Sequence, residues 1–131
     1  MKRISLLLVT LLWVCVLSVC LLAADVVFVD GTVAASGNGT TPETAYKSLK
    51  EGIAALPNGG TLVFSGDTTL STAYNQAATS GTVLLTSVYD GVDYGGRLIL
   101  KSRLIFTGDA TLDNITIHNG NTAPCMIFAR G

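Results

Sequence analysis

Asp90 and Asp93 stand three residues apart in the run VYDGVDYGG over residues 88–96, with Asp109 and Asp113 not far beyond. Carboxylates so spaced supply the hard oxygen ligands that a calcium ion takes, so Asp90 and Asp93 are the calcium candidates. Against this, Asp beside Gly is a turn former, because its side chain bonds its own backbone and tolerates positive φ. Asp90-Gly91 and Gly108-Asp109 both fit that description, and the turn reading is preferred. Arg97, Lys101 and Arg103 form a small basic cluster that can meet an anionic group. They alternate with Leu98, Leu100 and Leu104, which is also the pattern of solvated positions on a strand with one buried face. Tyr74, Tyr89 and Tyr94 border turns and offer flat faces for stacking. With Arg97, Tyr89 and Tyr94 are the candidates for ligand contact. His118, the single histidine, follows Thr116 in the outward phase of its strand and has no Ser or Cys partner nearby, so it reads as a surface residue rather than a general base. Cys125 precedes an apolar triplet and reads as a small buried hydrophobe. No phosphate-cradling glycine loop, zinc spacing or nucleophile triad is present, and no catalytic residue or cofactor beyond calcium is assigned.

The elements that position these residues begin after an address segment. The 131 residues contain 13% charged residues and have a mean hydropathy of +0.52, a figure dominated by the first 24 positions. Lys2 and Arg3 precede an apolar run, and no Lys, Arg, Asp or Glu occurs between Arg3 and Asp25. A basic start, an apolar stretch and the small pair Ala23-Ala24 describe a secretory signal over residues 1–24. The run is also long enough for an uncleaved membrane anchor. Either form places the rest of the chain outside the cell, secreted or at its surface. Without residues 1–24 the chain loses two of its eight basic residues and none of its nine acidic ones, leaving a net charge of −3. Such a chain does not attract nucleic acid, and it meets a membrane only through the first segment if that stays attached. Cys15 and Cys20 fall in that segment, so Cys125 alone remains and no disulfide framework forms.

Residues 25–30 (DVVFVD) read as a first strand, followed by a polar, turn-rich loop over 31–41. Ser48 with Glu51 three residues on is a capping box, and Leu49, Ile53 and Leu56 draw one apolar stripe along a short helix. Pro57-Asn58-Gly59-Gly60 stops that helix, and residues 61–64 (TLVF) resume as strand. Asn38-Gly39-Thr40 and Asn114-Ile115-Thr116 match the glycosylation sequon, a short match that arises readily by chance. Further on, apolar triplets recur at 62–64, 83–85, 104–106 and 126–128. Their centres Val63, Leu84, Ile105 and Ile127 follow one another at a nearly constant interval of about 21 positions. Other strand-like pieces lie between, at 68–70, 87–89, 97–100, 110–112 and 114–118.

A repeat of this length with several short strands in each predicts a solenoid, in which one coil buries its apolar side chains only by stacking on the next. Leu62, Phe64, Val83, Leu85, Ile115 and Ile117 then face inward in ladders, and the helix lies over the first coil. This reading requires Val63, Leu84 and Ile105 to lie on consecutive parallel strands. A β-sandwich offers the same density of strands and remains the alternative.

The stretch VFVD, the Gly/Asn-rich loop, TAYKSLKEGIAAL over 44–56 and PNGGTLVFSG over 57–66 together resemble the opening of right-handed parallel β-helix proteins of the pectin-lyase-like superfamily. DNITIHNG over 113–120 resembles one of their coils. The resemblance spans residues 25–131. It implies an all-β, right-handed parallel β-helix with a short capping α-helix, truncated after its first coils, whose partners are a polysaccharide or cell-surface glycan and its own downstream coils. It further implies one of two roles. In the first, this is a non-catalytic segment of a secreted or surface carbohydrate-associated protein. In the second, it is the scaffold start of a polysaccharide lyase or glycoside hydrolase. The lyases of that family bind calcium through acidic residues and use an Arg or Lys beside a uronate, and no motif here maps onto those groups.

Overall fold

The computed structural model describes residues 25–76 and 81–120, together with the backbone of Met126–Phe128. The leader expected over 1–24, with Cys15 and Cys20, and also Cys125, lie outside the described residues.

The chain is mostly strand, paired in parallel, with little helix. Strand β1 (Val26–Val29) is followed by a loop, a 3-10 turn (Pro42–Thr44) and the helix α1 (Leu49–Ala54). Nine strands then make three passes: β2 (Gly60–Phe64), β3 (Thr68–Leu70) and β4 (Tyr74–Gln76); β5 (Val83–Thr86), β8 (Arg97–Leu100) and β9 (Leu104–Phe106); β10 (Ala110–Leu112), β11 (Thr116–Asn119) and β12 (Met126–Phe128). Each pass gives one strand to each of three parallel sheets, ordered β1-β2-β5-β10, β3-β8-β11 and β4-β9-β12. The second pass alone carries an antiparallel hairpin, β6 (Val88–Tyr89) and β7 (Val92–Asp93).

The register aligns like with like. In the first sheet Val27, Leu62, Leu85 and Leu112 form one inward ladder. Thr68, Leu98 and Ile117 form another in the second sheet. Leu62, Leu85, Leu98, Leu104, Phe64 and Phe106 are at most 1% exposed and belong to one core cluster. Each such side chain contributes about 1.5–3 kcal/mol on burial. The ladder of backbone hydrogen bonds satisfies the amides that this burial would otherwise strand.

Two expectations are corrected by this pairing. Val63 lies opposite Thr86 rather than Leu84, because Leu62 pairs with Leu85, which offsets the register by two positions from the even spacing of the triplets. The triplet 104–106 does not follow β5 in the first sheet at all: it is β9, paired to β4 and β12 in the third, so the requirement that Val63, Leu84 and Ile105 lie on consecutive parallel strands holds for the first two and fails for Ile105. The strand that follows β5 there is β10, with Val83 opposite Ala110. The passes differ in length because the hairpin lengthens one of them, so an even spacing of triplets counts strands without saying which sheet they join. The expected strand at 114–118 begins at Thr116, and Tyr74–Gln76 and Val92–Asp93 are strands that the pattern did not predict.

The first sheet has one more strand than the others, and α1 fills the corresponding space. Leu49, Ile53 and Leu56 join the core cluster, and α1 contacts β1 and β3. Ser48 is the N-cap, its Oγ accepting from the Glu51 amide at 3.2 Å, while the Glu51 carboxylate of the expected box takes its bond from the Ser48 hydroxyl at 2.7 Å. That pairing with Ser48 is the main reason the Glu51 carboxyl titrates below its ordinary value. Gly52 is where helix and sheet meet, since a Cβ there would stand 2.5 Å from Val29 Cγ1 and 2.6 Å from Leu62 Cδ1.

Candidate functional site

The corner between the first and second sheets is built three times. Residues 65–67 turn it between β2 and β3, and residues 113–115 between β10 and β11. Between β5 and β8 it takes residues 87–96, ten in place of three. Three residues suffice for the turn, so the extra length serves something other than the stack, and loops on a rigid scaffold are where binding residues concentrate.

The added residues form the β6–β7 hairpin, in which Tyr89 lies opposite Val92 and Val88 opposite Asp93. Asp90 (φ 51°) and Gly91 (φ 74°) make its two-residue turn. Positive φ at both positions is the demand of a type I′ turn, and Asp-Gly meets it well. The turn reading of Asp90 is therefore the one observed. At the base of the hairpin Ser87 Oγ donates to the Asn114 carbonyl at 2.7 Å and the Tyr94 amide donates to the Ser87 carbonyl at 2.9 Å. Asp93 Oδ1 accepts from the Gly95 amide at 2.8 Å and from Ser87 Oγ at 3.3 Å. Among the described residues no three or more His, Cys, Asp or Glu side chains gather where a metal ion could be held. Asp113 Oδ2, a further calcium candidate, accepts from Asn114 Nδ2 at 3.1 Å.

The hairpin folds back over the outer face of the first sheet. In β1, Val27 and Val29 join the main core, while Phe28 points the other way into a second cluster with Ala45 and Val63. Tyr89 and Tyr94 meet the Phe28 ring edge-on, at centroid distances of 5.9 and 5.6 Å. Such T-shaped pairs add about 0.5–1.5 kcal/mol each beyond the area they bury. Tyr94 is half-buried by this contact, whereas Tyr89 is 38% and Val92 49% exposed, the large apolar side chains most open to solvent among the described residues. The hairpin thus presents an apolar pair, one member aromatic, with Phe28 packed against the Tyr89 ring.

Arg97 begins β8 at the foot of the same corner. Its Nε donates to Asp67 Oδ1 at 2.9 Å and its Nη2 to Asp67 Oδ2, a two-point ion pair from β8 to the three-residue corner of the preceding pass. The guanidinium holds the Asp67 carboxyl below its usual range, and Asp67 raises Arg97 in turn. Arg97, a candidate for ligand contact, thus has Asp67 as its carboxylate partner. Lys101 and Arg103 are exposed between the buried Leu100 and Leu104, as expected of solvated positions, and His118 is exposed as well. Tyr74 is elsewhere, in β4 opposite Leu104, where it packs on the core and burial pushes its phenol up.

Phe28 and Asp67 went unnoticed in the sequence because their partners, Tyr89 and Tyr94 for one and Arg97 for the other, belong to a later pass of the chain. The alternation in VVFV, which sets Phe28 in the opposite phase to Val27 and Val29, is the one local signal that existed. No family model, curated protein or solved structure matches this chain.

Proposed function

We propose that residues 25–131 open a right-handed parallel β-helix in an exported, carbohydrate-associated protein, and that this stretch binds a glycan without transforming it. The long second corner carries the reading. A corner that turns in three residues in the other two passes spends ten here, and leaves Tyr89 and Val92 exposed with Phe28 packed against the Tyr89 ring. A rigid exposed tyrosine stacks on the apolar face of a sugar ring at little entropic cost. The three parallel sheets with inward ladders, and the resemblance of residues 44–66 to the start of pectin-lyase-like proteins, support the architecture. The charged character of residues 2–3 and the apolar run behind them support export. Among the described residues no helix is long and apolar enough to cross a membrane.

Affinity electrophoresis through gels of polygalacturonate and of a neutral glucan tests the binding. Retardation by one of them, reduced about tenfold by Tyr89→Ala, corresponds to roughly 1.4 kcal/mol of stacking. Equal mobility of Tyr89→Ala and the parent chain in every gel sinks the reading. The other reading, a scaffold for a lyase or hydrolase, rests on the same resemblance. Growth of unsaturated-product absorbance from polygalacturonate with calcium would favour it.

A further inference from the structure

The sequence holds five places where an Asp or Asn precedes Gly: Asp30-Gly31, Asn38-Gly39, Asn58-Gly59, Asp90-Gly91 and Asn119-Gly120. Each is chemically able to rearrange, because glycine leaves the following amide nitrogen open to the side-chain carbonyl. In free peptides the Asn-Gly steps react faster than the Asp-Gly ones, since an amide loses ammonia more readily than an ionised carboxylate loses water.

The fold changes this order. Four of the five glycine amides are engaged: Gly31 donates to Thr68 Oγ1 at 3.1 Å, Gly39 to the Thr44 carbonyl at 2.7 Å, Gly59 to the Leu56 carbonyl at 3.0 Å and Gly120 to the Leu100 carbonyl at 2.9 Å. Each of these bonds must break before the nitrogen can attack, and three of the acceptors are backbone groups of the packed fold. Asp30 Oδ1 is held further by the Thr32 amide and hydroxyl, at 2.8 and 2.6 Å, and Asn38 Oδ1 by those of Thr40, at 3.1 and 2.7 Å. At the fifth step, among the described residues, the Gly91 amide has no acceptor. Asp90 and Gly91 are both exposed, and a Cβ built on Gly91 meets nothing within 4 Å. The peptide at the hairpin tip has room to rotate.

We propose that Asp90 is the site of spontaneous isoaspartate formation in the folded protein, ahead of all three Asn-Gly steps. The Gly91 nitrogen attacks Asp90 Cγ, forming the N–Cγ bond; the nitrogen gives up its proton and the carboxyl its hydroxyl, which leave together as water. Water then opens the five-membered succinimide. Attack at Cγ breaks the N–Cγ bond and restores aspartate. Attack at the main-chain carbonyl breaks the original peptide bond and leaves the chain running through Cγ. The product has the parent mass and one more backbone carbon in a turn built for two residues, directly beside Tyr89. Nothing in this depends on what Tyr89 binds.

The test ages the full chain at neutral pH and physiological temperature, then maps peptides by electron-transfer fragmentation, which separates aspartate from isoaspartate. Labelling by an isoaspartyl methyltransferase supplies a second readout. In the folded protein isoaspartate is expected to accumulate at Asp90 severalfold faster than deamidation at Asn38, Asn58 or Asn119. In denaturant the order is expected to reverse. Asp90→Glu removes the label, because a six-membered ring closes far more slowly, while Asp90→Asn deamidates faster than any native Asn-Gly step. Faster reaction at any native Asn-Gly step in the folded chain overturns the assignment, as does an order that denaturant leaves unchanged.

Discussion

One ladder of the first sheet, Val27–Leu62–Leu85–Leu112, passes through two very different ends of the strand stack. At the helix end Val27 and Leu62 are at most 1% exposed, under the stripe of Leu49, Ile53 and Leu56. At the other, β10 and β11 are the outermost strands of their sheets, and Leu112, Ile115 and Ile117 are only half-buried. Residue type is nearly constant along the ladder, so the difference is one of neighbours. A strand here buries its side chains only as far as the layer on each side allows, and the short helix α1 supplies that layer at one end.

The contrast is broken or sharpened by four experiments. The largest effect belongs to Leu62→Ala, which empties a site walled on every side. It is expected to cost about 2–5 kcal/mol in denaturant unfolding, whereas Leu112→Ala costs under about half as much because its site is part-open. Equal losses would erase the distinction between the ends. Gly52→Ala comes next. Overpacking against Val29 and Leu62 costs about 1–3 kcal/mol, and the gain in helix propensity of about 1 kcal/mol offsets part of it. A net stabilisation would mean that α1 does not press on the sheet.

Ser48→Ala follows, with a loss of about 1 kcal/mol from the uncapped helix. Its pH dependence gives a further handle. Glu51 titrates below its usual value of 4.5, so its contribution is present above that pH and fades as pH falls through the lower folded value. The stability difference between Ser48→Ala and the parent should therefore shrink on acidification below about pH 4.5 and stay flat above it. The smallest effect is that of Asp67→Asn, which removes an exposed ion pair. Its cost should fall away in high salt, and an effect that survives salt would assign the pair a packing role instead.

Much of the helix end could be read in the sequence because its signals are local. Ser48 with Glu51, the 49/53/56 stripe and the Pro57–Gly60 stop all act within a few turns of chain. Inward and outward phases were equally readable, as Leu98, Leu100 and Leu104 against Arg97, Lys101 and Arg103 demonstrate. Sheet membership was not. Parallel strands buried on one face all read as short apolar runs, so Leu104-Ile105-Phe106 looked like the successor of Val83-Leu84-Leu85 when its partners are Tyr74–Gln76 and Met126–Phe128. At the hairpin, Asp90-Gly91 announced its own turn. What lay beneath it did not, since Phe28 sits in the first strand, far along the chain from Tyr89, and no local pattern couples them.

A corner that closes with either three residues or ten has a practical consequence. The strands on both sides hold their register through partners in adjacent layers, so residues 88–95 can vary in length and sequence without shifting a ladder, while Ser87 keeps its bond to the Asn114 carbonyl and Gly96 its close approach to the Phe64 backbone. That makes the position a natural socket for exchange: other hairpins or loops can be installed there while Val83–Thr86 and Arg97–Leu100 keep their places. Phe28 sets a further condition, because any replacement must bring its own cover for that ring.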